Sequence, residues 1–75
     1  MTRIQSKLDI KNNVGILRVE LGLTQEQLGL EVGVTRATIN ALEKGSYNPS
    51  LELAFRLSKF FNARIEDIFW ENTGE

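Results

Sequence analysis

Residues Gln25 to Lys44 read QEQLGLEVGVTRATINALEK, and this stretch decides the fold. It parses as two short helices joined by a tight turn at Gly33. Thr24, just ahead of it, can cap the first helix through its hydroxyl, and Gln27 three residues on completes a capping-box pattern. Thr35 can cap the second helix in the same way. Leu28 and Val32 fall four apart on one helical face, while Val34, Ile39 and Leu42 supply the apolar positions that face them. Gly29 removes bulk where two helices approach closely, and Gly33 can take the positive φ that ends a helix sharply. Small residue, turn glycine and apolar residues thus stand where a helix-turn-helix needs them.

Working outward, a first helix starts near Asn12 or Asn13, either of which can cap it, and runs to about Leu21. Val14, Leu17 and Leu21 give it an apolar stripe, and Gly22 stops it in a left-handed position. The helices of the central motif cover about 25–32 and 36–44, the latter ended by Gly45. Ser46-Tyr47-Asn48-Pro49 is a loop, because proline disfavours helix at Asn48 and fixes its own φ. Ser50 caps a fourth helix, with Leu53, Leu57 and Phe61 on one face and Ala54 beside them, and Asn62 can end it in the left-handed conformation. A last short turn holds Ile65, Ile68 and Phe69, followed by a frayed tail, Glu71–Glu75. Residues 1–12 carry no clear period, although Leu8-Asp9-Ile10 alternates as a short strand does. Three arrangements fit this segment: a mobile arm, a strand paired elsewhere, or an extension of the first helix. The expected division is an N-terminal arm 1–11, a domain 12–69 and a C-terminal tail 70–75. Five helices with short links make an all-α domain of low contact order.

Seventy-five residues make one small domain. The chain has no cysteine and no histidine, so disulfides, the usual zinc-ligand sets and histidine-based catalytic triads are excluded, and no cofactor or metal is expected. No apolar run is long enough to span a membrane and no apolar signal core opens the chain, which points to the cytoplasm. A helix-turn-helix sets its second helix in the major groove of DNA, where phosphates favour basic proteins, yet the net charge is −1. Distribution matters more than the sum. Arg3, Lys7, Lys11 and Arg18 stand against Asp9 early in the chain, whereas Glu66, Asp67, Glu71 and Glu75 stand against Arg64 late in it.

The run LGLTQEQLGLEVGVTRATINALEKGSYNPSLELAFRLSKFF, followed by IEDIF, resembles the Cro/C1-type (XRE) helix-turn-helix regulators of bacteria and phages. The similarity extends over about residues 12–69, with caps, glycines, apolar positions and the NPS loop all in register. The resemblance implies a five-helix, phage-repressor-like DNA-binding domain. Its second and third helices form the motif and its third enters the major groove, and it binds a two-fold symmetric operator as a homodimer, usually to repress. It also implies a structural ion pair between Arg18 of the first helix and Glu43 at the end of the third.

On the reading surface, Arg36 points outward if Ile39 points inward, and can bond guanine O6 and N7 bidentately or bind phosphate alone. Asn40 lies one turn further along, and its amide can match adenine N6 and N7. Thr38 and Thr35 can touch a thymine methyl or a phosphate, with Thr35 better placed for capping and backbone contact. Ala37 departs from the many relatives that carry glutamine there and offers only a methyl contact. Thr24 and Gln25, at the start of the second helix, are the expected phosphate contacts, together with the free N–H groups of that helix end. Lys44, Ser46, Tyr47 and Asn48 can reach the other side of the groove; packing over the junction of helices three and four is a second reading for Tyr47. Leu30 sits where the family is usually polar. Phe60, Phe69 and Trp70 cluster late, where the family often dimerises, and Phe69 and Trp70 are the dimerisation candidates.

Three other functions can be weighed. An enzyme is disfavoured, since Glu66 and Asp67 are adjacent on an acidic turn without a phosphate loop or metal cluster near them. An antitoxin-like protein-interaction module on the same fold would need a segment to wrap its partner, and only the arm or the tail could supply one. A relic that no longer binds DNA is favoured by the acidic balance, Ala37 and Ala41, but opposed by Gln25, Arg36, Asn40 and Lys44. The expected partners are double-stranded DNA and a second copy of the chain, with no membrane and room for a protein partner.

Overall fold

The computed structural model describes residues 8–73. In chain order the elements are β1 (Ile10–Asn12), α1 (Val14–Glu20), α2 (Gln25–Val32), α3 (Arg36–Glu43), α4 (Leu51–Phe61), α5 (Ile65–Ile68) and β2 (Phe69–Glu71). Local chemistry starts and stops the helices. The Thr24 hydroxyl accepts from Gln27 N while the Gln27 side chain accepts from Thr24 N, closing the capping box of α2. Thr35 caps α3 through Thr38 N, and Ser50 caps α4 through Leu53 N. Asn62 ends α4 with φ 54°, the one non-glycine residue with positive φ among those described.

Gly33, at φ 81°, makes the turn between α2 and α3. Gly29 faces that turn rather than a second helix: a Cβ built on it would lie 2.5 Å from the Val34 carbonyl oxygen. The turn folds back so closely because Val34 N donates to Gly29 O at 2.9 Å. The α2–α3 unit stands over a core of Val14, Leu28, Val32, Ile39, Leu42, Leu53, Leu57 and Ile68, with Leu17, Val34, Phe60, Phe61, Ala63 and Phe69 packed around it. Burial of this set from α1 to α5 is the main stabilising term of so small a domain.

Several expectations need correction. The domain is mostly helical, which fits the all-α class, but it also carries a two-stranded antiparallel ribbon of β1 and β2, with Ile10 opposite Glu71, Lys11 opposite Trp70 and Asn12 opposite Phe69. The ribbon reaches into both the segment read as an arm and the segment read as a tail. Glu71 is therefore in a strand and not frayed, and Phe69 leaves the last helical turn for extended backbone. Asn72 N extends the pairing to Asp9 O at 2.7 Å. Residues 1–7, with Arg3 and Lys7, and residues 74–75, with Glu75, lie outside the described residues.

The start and end of α1 differ too. Asn13 occupies the cap position without a side-chain cap bond. It is Asn12 that reaches Val14 N with its Oδ1, and its Nδ2 donates to Leu42 O, fastening the ribbon to α3. Leu21 lies beyond the end of α1 and is exposed, so the apolar stripe of α1 narrows to Val14 and Leu17. Gly22 follows at φ 73°, as the sequence suggests. The third helix ends at Glu43 with Lys44 as its cap.

Candidate nucleic-acid interface

Ile39 and Leu42 are buried, which turns the opposite face of α3 outward. On that face Arg36 and Ala37 are exposed, and Asn40 and Ala41 are half-buried. Thr38 is half-buried with its hydroxyl bonded to that of Thr35, so both threonines are engaged at the helix start. Thr24, Lys44, Ser46, Tyr47 and Asn48 are all exposed, the first at the start of α2 and the others just beyond α3. Ser46 also ties back to its helix, its Oγ donating to Ala41 O at 3.2 Å.

A polar network holds the two helices of the motif in register. Arg18 Nε donates to Glu43 Oε2 at 2.7 Å and Nη2 donates to Glu43 Oε1 at 3.2 Å. Arg18 Nη1 donates to the Leu23 carbonyl at 2.7 Å, at the entry to α2. The two side chains are only 16% and 13% exposed, and the Glu43 hydrogen bonds hold the Arg18 guanidinium above its ordinary range against the opposing effect of burial. Such a forked pair fixes geometry more than it adds stability. Gln25 joins from the start of α2: its Nε2 donates to Glu43 Oε1 at 3.1 Å and to Asn40 Oδ1 at 3.3 Å. These contacts between residues far apart in sequence bring Arg18, Gln25, Asn40 and Glu43 together, and residue spacing gave no sign that Gln25 belonged with them.

The early basic cluster does not form a free patch among the described residues. Lys11 lies 3.8 Å from Asp9, and Arg18 is committed to Glu43. With Glu43 neutralised in this way, Arg36 and Lys44 are the cations left on the exposed side of the motif. No group of three or more acidic, histidine or cysteine side chains suited to a metal occurs among the described residues. No helix among them is long and apolar enough to cross a membrane.

A second surface lies at the start of α4. Leu51, 72% exposed, and Phe55, 51% exposed, stand one turn apart on the side away from buried Leu53 and Leu57. Leu51 lines an open groove with Ile10, Pro49, Ala54, Ile65 and Phe69. Phe69 thus borders this groove while packing on the core. Trp70, the next residue of an extended strand, projects from the opposite face of the ribbon and is 46% exposed. Leu51 and Phe55 were not singled out in the sequence, although their four-residue spacing, out of phase with Leu53 and Leu57, carried the signal.

Capped helices, the tight glycine turn and the outward face of α3 define a helix-turn-helix protein. A family model described as Helix-turn-helix, HTH_3, matches residues 15–68, and the chain belongs to the Cro/C1-type (XRE) family of DNA-binding transcriptional regulators, which are not enzymes. It is 52% identical over 61 residues to the uncharacterised HTH-type transcriptional regulator YgzD of Bacillus subtilis, a match covering 81% of this chain and 92% of that protein. It is 53% identical over 60 residues to the HTH-type transcriptional regulator MJ0272 of Methanocaldococcus jannaschii, covering 80% and 91%. A third relative is the cryptic phage CTXphi transcriptional repressor RstR of Vibrio cholerae, 40% identical over 52 residues, covering 69% of this chain and 47% of that one.

Proposed function

We propose that the chain is a sequence-specific transcriptional repressor that binds a two-fold symmetric operator as a homodimer, with α3 in the major groove. The observation that carries this reading is the exposed face of α3, with Arg36, Ala37 and Asn40 presented side by side while buried Ile39 and Leu42 anchor the opposite face. Arg36 and Asn40 offer hydrogen bonds to base edges, Ala37 a methyl contact, and Thr38 a contact at the edge of that face. Thr24, Thr35, Lys44, Ser46, Tyr47 and Asn48, with the free backbone N–H groups at the start of α2 from Gln25 on, position the domain on phosphates. The repressor sense is supported by the likeness to RstR, a phage transcriptional repressor by name.

The dimer forms through the groove of Leu51, Ile65 and Phe69, with Trp70 adding from the other face of the ribbon. Asn48 lines the same groove, so the interface adjoins the loop that follows α3. Two reading helices would then face one side of the DNA, about 34 Å apart. Selection of bound duplexes from a random library at moderate salt tests the reading. An enriched palindrome is the expected result. No enrichment from a folded protein would sink it and favour the antitoxin-like protein-interaction module.

A further inference from the structure

Resting on the base-reading role proposed above for Asn40, we propose that Gln25 is a specificity-determining residue. It turns the Asn40 amide so that the NH2 group faces the groove, and Asn40 therefore reads an acceptor edge, guanine before adenine.

The argument is one of donors and acceptors passed along a chain of four side chains. Arg18 can only donate, and it binds both oxygens of Glu43. Ionised Glu43 can only accept, and its Oε1 takes a further bond from Gln25 Nε2 at 3.1 Å. An isolated amide could turn either way, but beside a carboxylate that already holds an arginine only its NH2 can face inward. The second hydrogen of the same NH2 goes to Asn40 Oδ1 at 3.3 Å. Asn40 is thereby fixed with its oxygen toward Gln25, and no described residue accepts from its Nδ2.

Two consequences follow. Both amide hydrogens of Gln25 are engaged within the protein, so a phosphate, which only accepts, meets the backbone N–H groups of this helix start and not the Gln25 amide. Asn40 for its part reaches the DNA as a donor. In the major groove guanine presents two acceptors, N7 and O6, whereas adenine presents N7 beside the N6 donor. With its NH2 outward, Asn40 matches guanine, meets thymine O4 less fully, and sets donor against donor at adenine N6. Arg18, largely enclosed behind the motif, thus influences a base it does not touch.

Site selection with the full chain tests this. The position read by Asn40 is the one whose preference disappears in Asn40→Ala. Guanine is expected there, favoured about tenfold or more over adenine. Gln25→Ala, checked for an intact fold by circular dichroism, should bring adenine within a few-fold of guanine at that position and leave the other positions unchanged. Gln25→Glu places an acceptor where the donor stood, so the preference should move to a donor edge, cytosine N4 or adenine N6. Adenine at that position in the unmodified chain would overturn the proposal. So would equal loss of affinity on all sequences in Gln25→Ala, the behaviour of a phosphate contact. A readout without DNA separates the two levels: in the free protein, NMR should find the Gln25 side-chain NH2 protected from solvent exchange and that of Asn40 unprotected. No enriched site with this exchange pattern would overturn the DNA reading and the specificity role with it. Enrichment with the reversed pattern would overturn the role of Gln25 alone.

Discussion

The α2–α3 unit and the β1–β2 ribbon are built on opposite principles. In the first, the caps and the turn are each set by residues a few positions apart: Thr24 caps through Gln27, Thr35 through Thr38, and Gly29 and Gly33 shape a turn closed by Val34. In the second, each residue pairs with one at the other end of the chain, and each strand is only three residues long with none of them fully buried. A short ribbon of this kind is at best marginal alone. It persists because Phe69 packs on the core and Asn12 bonds to Leu42 O. A region specified locally tolerates little change at a few named positions, whereas one specified by docking depends on what it docks against.

The largest break in this comparison is expected at Leu28, fully buried between the motif and the rest of the core. Leu28→Ala should lower unfolding free energy by about 2–5 kcal/mol, measured by urea titration. Next is Glu43→Ala, which leaves the Arg18 guanidinium largely enclosed without its partner. A loss of roughly 1–3 kcal/mol is expected by the same titration, and an unchanged midpoint would show that α1 does not brace α3. Arg36→Ala removes an exposed side chain and should leave stability intact while costing about 1–3 kcal/mol of DNA binding at one base position. Equal loss on operator and random DNA would make Arg36 a phosphate contact.

At the ribbon end, Leu51→Lys should shift the proposed dimer toward monomer in sedimentation without unfolding the chain, since Leu51 is exposed in the single chain. Trp70→Ala, on the opposite face of the ribbon, should shift it less. A larger effect at Trp70 would move the interface to that face. The smallest effect concerns Arg64 and Asp67, bonded at 3.1 Å in the open. The hydrogen bond from Arg64 holds the Asp67 carboxyl below its ordinary range. Its stabilising contribution is present above the usual carboxylate pKa and is lost as pH falls through the lowered value. NMR titration should find the Asp67 pKa returned upward in Arg64→Ala.

The same contrast explains what could be read in the sequence. Caps at Thr24, Thr35 and Ser50, left-handed ends at Gly22, Gly33 and Asn62, and the buried spacing of Leu28, Val32, Ile39 and Leu42 were all legible because each is a short-range pattern. The ribbon was legible only as one of three options for residues 1–12, since three residues at each end carry no period that distinguishes a strand from an arm or a frayed tail. Phe69 illustrates the point: by spacing it continues the turn of Ile65 and Ile68, and only pairing with Asn12 draws it into extended backbone. The exposed face of α3 followed from the inward position of Ile39. The attachment of Gln25 to Asn40 and Glu43 did not, because polar side chains have no periodicity that reveals their partner.

The ribbon also bears on the order of events when the chain folds. Pairing Ile10 with Glu71 closes a loop of about sixty residues, and the entropy of that closure opposes the first contact far more than it opposes a capping box spanning three. The two ends can meet only after α1 and α5 have come together on the core that carries them. The ribbon is therefore a latch, the last part to engage and the first to release, and it can open while α3 stays in place.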